Sequence, residues 1–144
     1  MQFVRTVTVP VPADRVFTYL ADFTTTTEWD PASVTTERVS GDGGVGTRYR
    51  NVSSFMGREA EVMYVVTELD PGRRLVLRGE NSTLVALDEM TVEGDSTRAT
   101  VTYSATFELK GFRKIAAVAL APALKRLVDN GAEGLRRTLS WLAV

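Results

Sequence analysis

The sequence predicts an α+β fold in which a seven-stranded, curved antiparallel sheet wraps around a long C-terminal helix, with two short helices between strands 1 and 2. Residues 33–109 alternate β-favouring residues with short turn sequences, which is typical of an antiparallel meander. Residues 112–144 instead place apolar side chains at three- and four-residue steps, the spacing of one helical face. A sheet with one apolar face needs a covering layer, and this helix is the only large element available to provide it.

The composition narrows the functional classes before any motif is considered. The 144 residues fit a single domain spanning 1–144, and the net charge of -1 gives no general attraction to nucleic acid. Cysteine and histidine are both absent, which excludes disulfides, the commonest zinc sites and Ser-His or Cys-His catalysis. We therefore expect no metal and no cofactor. Any proton transfer would use carboxylates, tyrosine, lysine, arginine or water.

The cellular location is predicted from the apolar segments. The N-terminal residues alternate like a strand and lack the pattern of a secretion signal. The longest apolar run, 115–124, is about ten residues long, whereas a membrane-spanning helix needs about 20. We expect a cytoplasmic monomer or homodimer with no integral membrane segment. The 14 arginines against 3 lysines suggest a GC-rich bacterial genome.

The first elements follow from β-favouring residues and prolines. Residues 3–9 alternate in the manner of a strand, which Pro10 ends. Pro12 fits a first helical turn, and the apolar stripe after it predicts a short helix over 12–21. Residues 22–30 form a polar connection that contains four consecutive threonines. Trp29 near its end is expected either to fold back onto the core or to close one end of a pocket.

Six further strands are predicted between turn sequences rich in Gly, Pro, Asn and Asp. They cover residues 33–40, 46–55, 59–69, 74–79, 83–93 and 98–109. Because the connections are short, successive strands are expected to pair as antiparallel neighbours. The strand at 59–69 has apolar residues on both faces, and a bulge is expected to shift its register.

Alternation along the strands predicts which side chains face the helix. The inward set includes Tyr49, Asn51, Met90, Tyr103, Ala105 and Phe107. Asp88 falls on the same side, two residues before Met90. A carboxylate in an apolar interior has its charged form disfavoured, so its pKa is expected to rise and it could act as an acid or base. An off-by-one register, or an arginine partner, would remove that role.

Two residues of the C-terminal helix are unusual. Pro122 lies inside the helical pattern, where a proline predicts a kink or a restart near Ala121. Gly131 lies on the apolar face, although glycine costs about 1 kcal/mol relative to alanine in a helix interior. Either the helix backbone makes a close contact there, or the missing side chain leaves space for a ligand.

Several short segments, in this order and spacing, carry a family resemblance that covers essentially the whole chain. They are residues 9–23, Trp29-Asp30-Pro31, Gly46-Thr47, Thr97-Arg98, Leu109-Lys110-Gly111 and the helix ending in Leu135-Arg136-Arg137. The chain resembles the START-like (SRPBCC) superfamily of helix-grip proteins, which includes the birch-pollen-allergen fold and the polyketide cyclase/dehydrase family. The resemblance implies an apolar cavity between the sheet and the long helix. It brings no catalytic residue, because the matching motifs are structural.

The expected ligand site combines the inward strand positions with the apolar face of the helix. Predicted ligand-binding residues are Trp29, Tyr49, Asn51, Tyr64, Leu77, Asp88, Met90, Tyr103, Ala105, Phe107, Leu120, Leu124, Val128 and Gly131. Asp88 and Tyr103 are the candidates for catalysis, although ordinary core packing would equally explain the tyrosines. An entrance is predicted where the hairpin tip meets the start of the helix, formed by Phe55, Met56, Gly57, Ile115, Val118 and Leu120.

Three functions are compatible with the sequence. The first is binding of a hydrophobic or aromatic small molecule, such as a lipid, between the sheet and the C-terminal helix. The second is an enzyme resembling the polyketide cyclase/dehydrases, in which Asp88 and tyrosines move protons while the pocket orients a reactive chain. The third is a protein-interaction module like the co-chaperones of the same superfamily, which would use its outer surface instead of a cavity.

Overall fold

The computed structural model describes residues 1–111 and 116–143 of the chain. Seven antiparallel strands form one sheet in the order β1-β7-β6-β5-β4-β3-β2. The strands are β1 (Gln2–Val9), β2 (Ser33–Ser40), β3 (Arg48–Phe55), β4 (Arg58–Asp70), β5 (Arg74–Glu80), β6 (Leu84–Gly94) and β7 (Ala99–Leu109). The helices are α1 (Ala13–Ala21), α2 (Thr26–Trp29) and α3 (Ala117–Ser140), with short 3₁₀ turns at Phe23–Thr25 and Trp141–Ala143.

The predicted fold class is confirmed, including the two short helices between β1 and β2 and the long C-terminal helix. Each predicted strand is present with its ends within about two residues of the expected position, because the turn residues that bound it are strong local signals. Within the described residues, no helix is both long enough and apolar enough to cross a membrane.

The inner face of the sheet carries the buried side chains that alternation predicted. In β6, Ala86, Asp88 and Met90 are all buried, which confirms the inward placement of the carboxylate. The ambiguous strand β4 turns Val62 and Val66 inward. Its register to β5 shifts between Val66 and Glu68, so the expected bulge is present and lets both halves of this long strand direct apolar residues to the core.

Helix α3 packs its apolar face on the sheet and on α2, and runs through Pro122 without interruption. The predicted restart near Ala121 is therefore wrong. Pro122 is the sixth residue of the helix as described from Ala117, and the alternative expectation, a kink at this residue, stays a prediction. The predicted helix start at 112 lies outside the described residues. Further along, the Arg5 guanidinium of β1 contacts the Asp129 carboxylate of α3, with Nε to Oδ1 at 2.5 Å.

Two glycines of α3 have different roles. A Cβ added at Gly134 would collide with the backbone carbonyl of Trp29, so the helix backbone makes its close contact with α2 at this residue. A Cβ added at Gly131 would meet Tyr103 at 3.6 Å and Trp29 at 3.7 Å, which are ordinary van der Waals distances. Gly131 therefore does not mark an obligatory backbone contact, and it lies directly over two aromatic side chains.

Candidate functional site

A small cavity of about 60 Å³ lies between the inner face of the sheet, α2 and α3. Its lining residues are Phe23, Thr26, Trp29, Asp30, Ala32, Ser33, Asn51, Ser53, Tyr64, Asp88, Tyr103, Phe107 and Leu127. Pockets for drug-sized ligands measure about 300–1,000 Å³, so this volume corresponds to a few water molecules. In this conformation the cavity is a polar space inside an aromatic shell.

Asp88 supplies the carboxylate of the cavity from the middle of β6. Its cross-strand neighbours are Leu77 on β5 and Ala105 on β7, and both are fully buried. Within 1–111 and 116–143, no hydrogen bond or ion pair involves the Asp88 side chain. Burial raises the pKa of Asp88 from 3.8 to about 7, and the nearby negative charge of Asp30 adds to the increase.

Tyr64 on β4 and Tyr103 on β7 bring two hydroxyl groups to the same space. Burial raises the pKa of both tyrosines well above the usual value, and the charges of Asp88 and Asp30 act in the same direction. In the described part of the chain, every polar side-chain atom that is sealed from solvent has a hydrogen-bond partner. The Asp88, Tyr64 and Tyr103 oxygens have no such partner, so each keeps surface that a water-sized molecule can reach, and the cavity provides it.

The opposite wall of the cavity is polar but internally satisfied. Asn51 is its centre, because its Nδ2 donates to Ser33 Oγ at 3.0 Å and to Thr36 Oγ1 at 2.8 Å. Ser53 Oγ donates to the Asn51 Oδ1 at 2.6 Å. Thr36 in turn bonds Thr26 of α2 at 2.6 Å, which ties this wall to the short helix.

Asp30 belongs to the satisfied wall and differs from Asp88 in this respect. The backbone N–H of Ala32 donates to Asp30 Oδ1 at 3.0 Å, and the Ser33 hydroxyl donates to Oδ2 at 3.1 Å. Burial raises the pKa of Asp30, while these two hydrogen bonds oppose the rise because they favour the charged form. Two carboxyl groups therefore share the cavity, one held by donors and one without them.

Aromatic rings orient the tyrosines. The Phe23 ring centroid lies 5.0 Å from that of Tyr64 and 5.5 Å from that of Tyr49. Trp29 meets Tyr103 edge to face, with centroids 5.8 Å apart and an interplanar angle of 80°. Gly79 on β5 leaves room for the Tyr64 ring, because a Cβ there would come within 2.6 Å of it. The two phenols are thus fixed by packing, with their hydroxyls left available.

The structure brings six of the predicted ligand-binding residues to the cavity: Trp29, Asn51, Tyr64, Asp88, Tyr103 and Phe107. The others do not line it and belong mostly to the surrounding core. Those that are buried are Tyr49, Leu77, Met90, Ala105, Leu124, Val128 and Gly131. Leu120 is half-buried near the start of α3. The ligand-binding roles of all fourteen residues stay predictions.

Seven lining residues are not among those predicted from the sequence, and most come from 23–33. The threonine run is expected to be a polar connection, whereas Thr25 and Thr26 are buried in the structure. The sequence signal that could identify Asp30 as a site residue is its position next to Trp29, the tryptophan expected to close the pocket.

A surface groove of about 350 Å³ adjoins the cavity and shares Ala32 and Leu127 with it. The groove is lined by Pro31, Ala32, Ser54, Phe55, Met56, Ala123, Arg126, Leu127 and Asn130. Phe55 and Met56 therefore face α3, as the predicted entrance required. They face residues 123–130 of the helix and not the start of the helix, where the entrance was predicted. Val118 is largely exposed and Leu120 lies off the groove, whereas Ile115 lies outside the described residues.

A curved antiparallel sheet that holds a long C-terminal helix, with a cavity between them, defines the helix-grip, START-like class of proteins. The chain belongs to the family described as "Polyketide cyclase / dehydrase and lipid transport", whose sequence profile matches residues 1–140. Comparison with curated proteins finds no match.

Solved structures confirm the fold at low sequence identity. The Zhui aromatase/cyclase from Streptomyces sp. R1128 is 18% identical, with a TM-score of 0.82 over 96% of this chain and 92% of that one. TTHA0849 from Thermus thermophilus is also 18% identical, with a TM-score of 0.80 over 95% of each chain. A START superfamily protein from Mycobacterium smegmatis is 13% identical, with a TM-score of 0.75 over 96% of this chain and 94% of that one.

Proposed function

We propose that the protein binds a hydrophobic or aromatic small molecule between its sheet and α3, with the polar end of the ligand at Asp88. The observation that carries this proposal is the set of three side chains, Asp88, Tyr64 and Tyr103, whose oxygens lack protein partners. Most polar side chains inside a folded protein bond to other protein groups, so this set of groups without protein partners favours a site for a bound molecule. A ligand that bonds to them would take the place of the water molecules for which the cavity has room.

The cavity must enlarge to admit such a ligand. Leu127 and Ala32 line both the cavity and the surface groove. Leu127 is only half-buried, and movement of its side chain is the route by which we propose that the two spaces join. The combined space would have aromatic walls from Phe23, Trp29 and Phe107 and an outer wall from the β3–β4 hairpin. This arrangement suits a flat, largely apolar molecule that enters from the groove.

The test uses Gly131, because a Cβ added there would contact Trp29 and Tyr103, two residues that line the cavity. Indane, a bicyclic hydrocarbon, is titrated into the protein and followed by ¹H–¹⁵N NMR. Gly131→Leu should abolish binding, since its side chain extends toward Trp29 and Tyr103. Gly131→Ala is the matched control and should bind like the parent, because its Cβ lies at ordinary contact distance.

Both substitutions replace glycine by a better helix former, so each is expected to keep α3 folded. If Gly131→Leu bound indane as tightly as the parent protein does, the ligand would bind elsewhere. Absence of binding to the parent protein, combined with native mass spectrometry that finds no retained small molecule, would contradict the proposal.

A cyclase/dehydrase-type activity is the second candidate, and the pKa of Asp88 near 7 specifically favours it. A group with this pKa both accepts and returns protons readily at neutral pH. Asp88 would remove a proton from a carbon next to a carbonyl group, while Tyr64 and Tyr103 donate hydrogen bonds to the carbonyl oxygen. Orientation within the cavity would supply the remaining assistance.

The activity is tested with a linear polyketide thioester and product analysis. If Asp88 is the acid–base group, kcat/KM changes with an apparent pKa near 7, and Asp88→Asn removes both the turnover and that pH dependence. Unchanged turnover by the asparagine variant would exclude Asp88 from the chemistry.

A further inference from the structure

The cavity has no lysine or arginine among its lining residues. Its titratable and charged groups are Asp30, Tyr64, Asp88 and Tyr103, from the α2–β2 connection, β4, β6 and β7. The residue that α3 contributes is Leu127, which is apolar. Among these titratable groups, the two phenol hydroxyls and the Asp88 carboxyl have no hydrogen-bond partner in the described part of the chain.

The protonation of these groups decides what they can bind. Burial favours the neutral form of all three, because it raises the pKa of each. A neutral phenol and a neutral carboxylic acid each present an O–H donor. A carbonyl oxygen accepts hydrogen bonds through two lone pairs and has no hydrogen to donate. Three O–H donors around one space therefore form a site for such an oxygen.

The neighbouring groups limit the ligand further. Asp30 already accepts two hydrogen bonds and carries negative charge toward the cavity, so an anionic ligand would be repelled without any lysine or arginine to offset it. A carboxylate is therefore a poor ligand. The rings of Phe23, Trp29 and Phe107 favour an aromatic body behind the polar atom.

Resting on the proposed binding function, we propose that the Tyr64, Tyr103 and Asp88 side chains form an acceptor-oxygen site that selects neutral aromatic ketones and rejects free carboxylates. The carbonyl oxygen lies among the three O–H groups, and the aromatic ring lies among Phe23, Trp29 and Phe107. Asn51 and its partners shape the opposite wall and give no hydrogen bond to the ligand.

The test compares four ligands with one carbon skeleton: 1-indanone, indane, indane-1-carboxylate and 1-aminoindane. Dissociation constants are measured at pH 6 by ¹H–¹⁵N NMR for the parent protein and for Leu127→Ala, which opens the cavity toward the groove. We expect 1-indanone to bind about tenfold more tightly than indane, because two or three net hydrogen bonds are gained. The carboxylate should bind more weakly than indane, because Asp30 repels it and no cation lines the cavity.

Tyrosine variants assign the effect to the site. Tyr64→Phe and Tyr103→Phe should each weaken 1-indanone about fivefold and leave indane unchanged, because only a hydroxyl is removed. Tyr19→Phe is the matched control, since its hydroxyl donates to Glu28 at 2.8 Å and lies outside the cavity. It should change neither dissociation constant.

The outcomes separate this inference from the function on which it rests. Equal binding of indane and 1-indanone would leave the proposed function intact and overturn the acceptor-oxygen site. Tighter binding of the carboxylate or the amine than of 1-indanone would also overturn the acceptor-oxygen site. Failure of all four ligands to bind both the parent and Leu127→Ala would contradict the binding function and the inference together.

Discussion

Replacing Asp88 by asparagine should change how the stability of the protein depends on pH. The aspartate pKa is 3.8 in the unfolded chain and about 7 in the folded protein. The stabilising contribution of the protonated form is therefore complete below pH 3.8 and is lost as the pH rises through 7. From pH 5 to pH 8, linkage with these two pKa values lowers the free energy of unfolding by about 2.6 kcal/mol.

The interval from pH 5 to pH 8 suits this measurement because histidine does not contribute to the pH dependence. The chain has no histidine, so the residue that normally titrates there is missing. The carboxyls of Glu80, Asp95, Asp129 and Glu133 have pKa values lowered by their hydrogen bonds, which moves their titration away from this interval. Asp30 is present in both proteins, so the difference between the parent and variant profiles reports on Asp88.

The assay is urea unfolding at pH 5, 6, 7 and 8, followed by tryptophan fluorescence. The parent should lose about 2.6 kcal/mol across the series, which corresponds to a fall in Tm of roughly 5–10 °C for a domain of this size. Asp88→Asn should lack this loss of about 2.6 kcal/mol and keep only the pH dependence that Asp30 and other groups contribute to both proteins. Parallel profiles of parent and variant, or a flat parent profile, would refute the conclusion that Asp88 is a buried carboxyl without a hydrogen-bond partner.

The remaining predictions concern glycines and the hairpin tip. Gly134→Ala should destabilise the protein by about 2 kcal/mol or more in urea unfolding, because its Cβ meets the rigid backbone of Trp29. Gly131→Ala should instead stabilise the protein by up to about 1 kcal/mol, because alanine favours the helix and its Cβ meets no backbone. If Gly131→Ala destabilised the protein as much as Gly134→Ala, the difference between the two glycine contacts would be contradicted. Met56 has a φ of 53° and is followed by Gly57, so Met56→Asn should raise stability by up to about 1 kcal/mol in thermal unfolding. A lower Tm for that variant would show that the Met56 side chain stabilises the groove.

The strands are predictable because both their ends and their facing are local properties. Turn residues bound each strand, and a period of two assigns its faces, so the inward placement of Asp88 follows from its neighbours in sequence alone. The fold class follows from the need to cover one apolar face of the sheet. The long strand β4 is predictable only up to its bulge, because a register shift depends on the partner strand.

The composition of the cavity is less predictable, because it depends on contacts between distant elements. Leu124 and Leu127 both fit the apolar pattern of α3, but only Leu127 reaches the cavity. Periodicity also cannot distinguish Gly131 from Gly134, since the difference is the position of the Trp29 carbonyl of α2. Asp30 joins the site through the turn after α2, which no periodic pattern reports.

The hydrogen-bond network explains why some polar residues are predictable and others are not. Asn51 is identified from the sequence because it lies on an inward strand position. Its partners Ser33 and Thr36 lie on the edge strand β2, and Thr26 lies on α2. Such small hydroxyl residues are common on solvent-facing surfaces, so only the three-dimensional arrangement reveals that they form one wall.

The binding site is tested most directly by intermolecular NOEs in the complex of the parent protein with 1-indanone. The proposed site predicts NOEs from ligand protons to the Leu127 methyl groups and to the rings of Tyr64, Tyr103 and Phe107. NOEs confined to the outer groove residues Phe55 and Met56, or to any surface away from Asp88, would contradict binding between the sheet and α3.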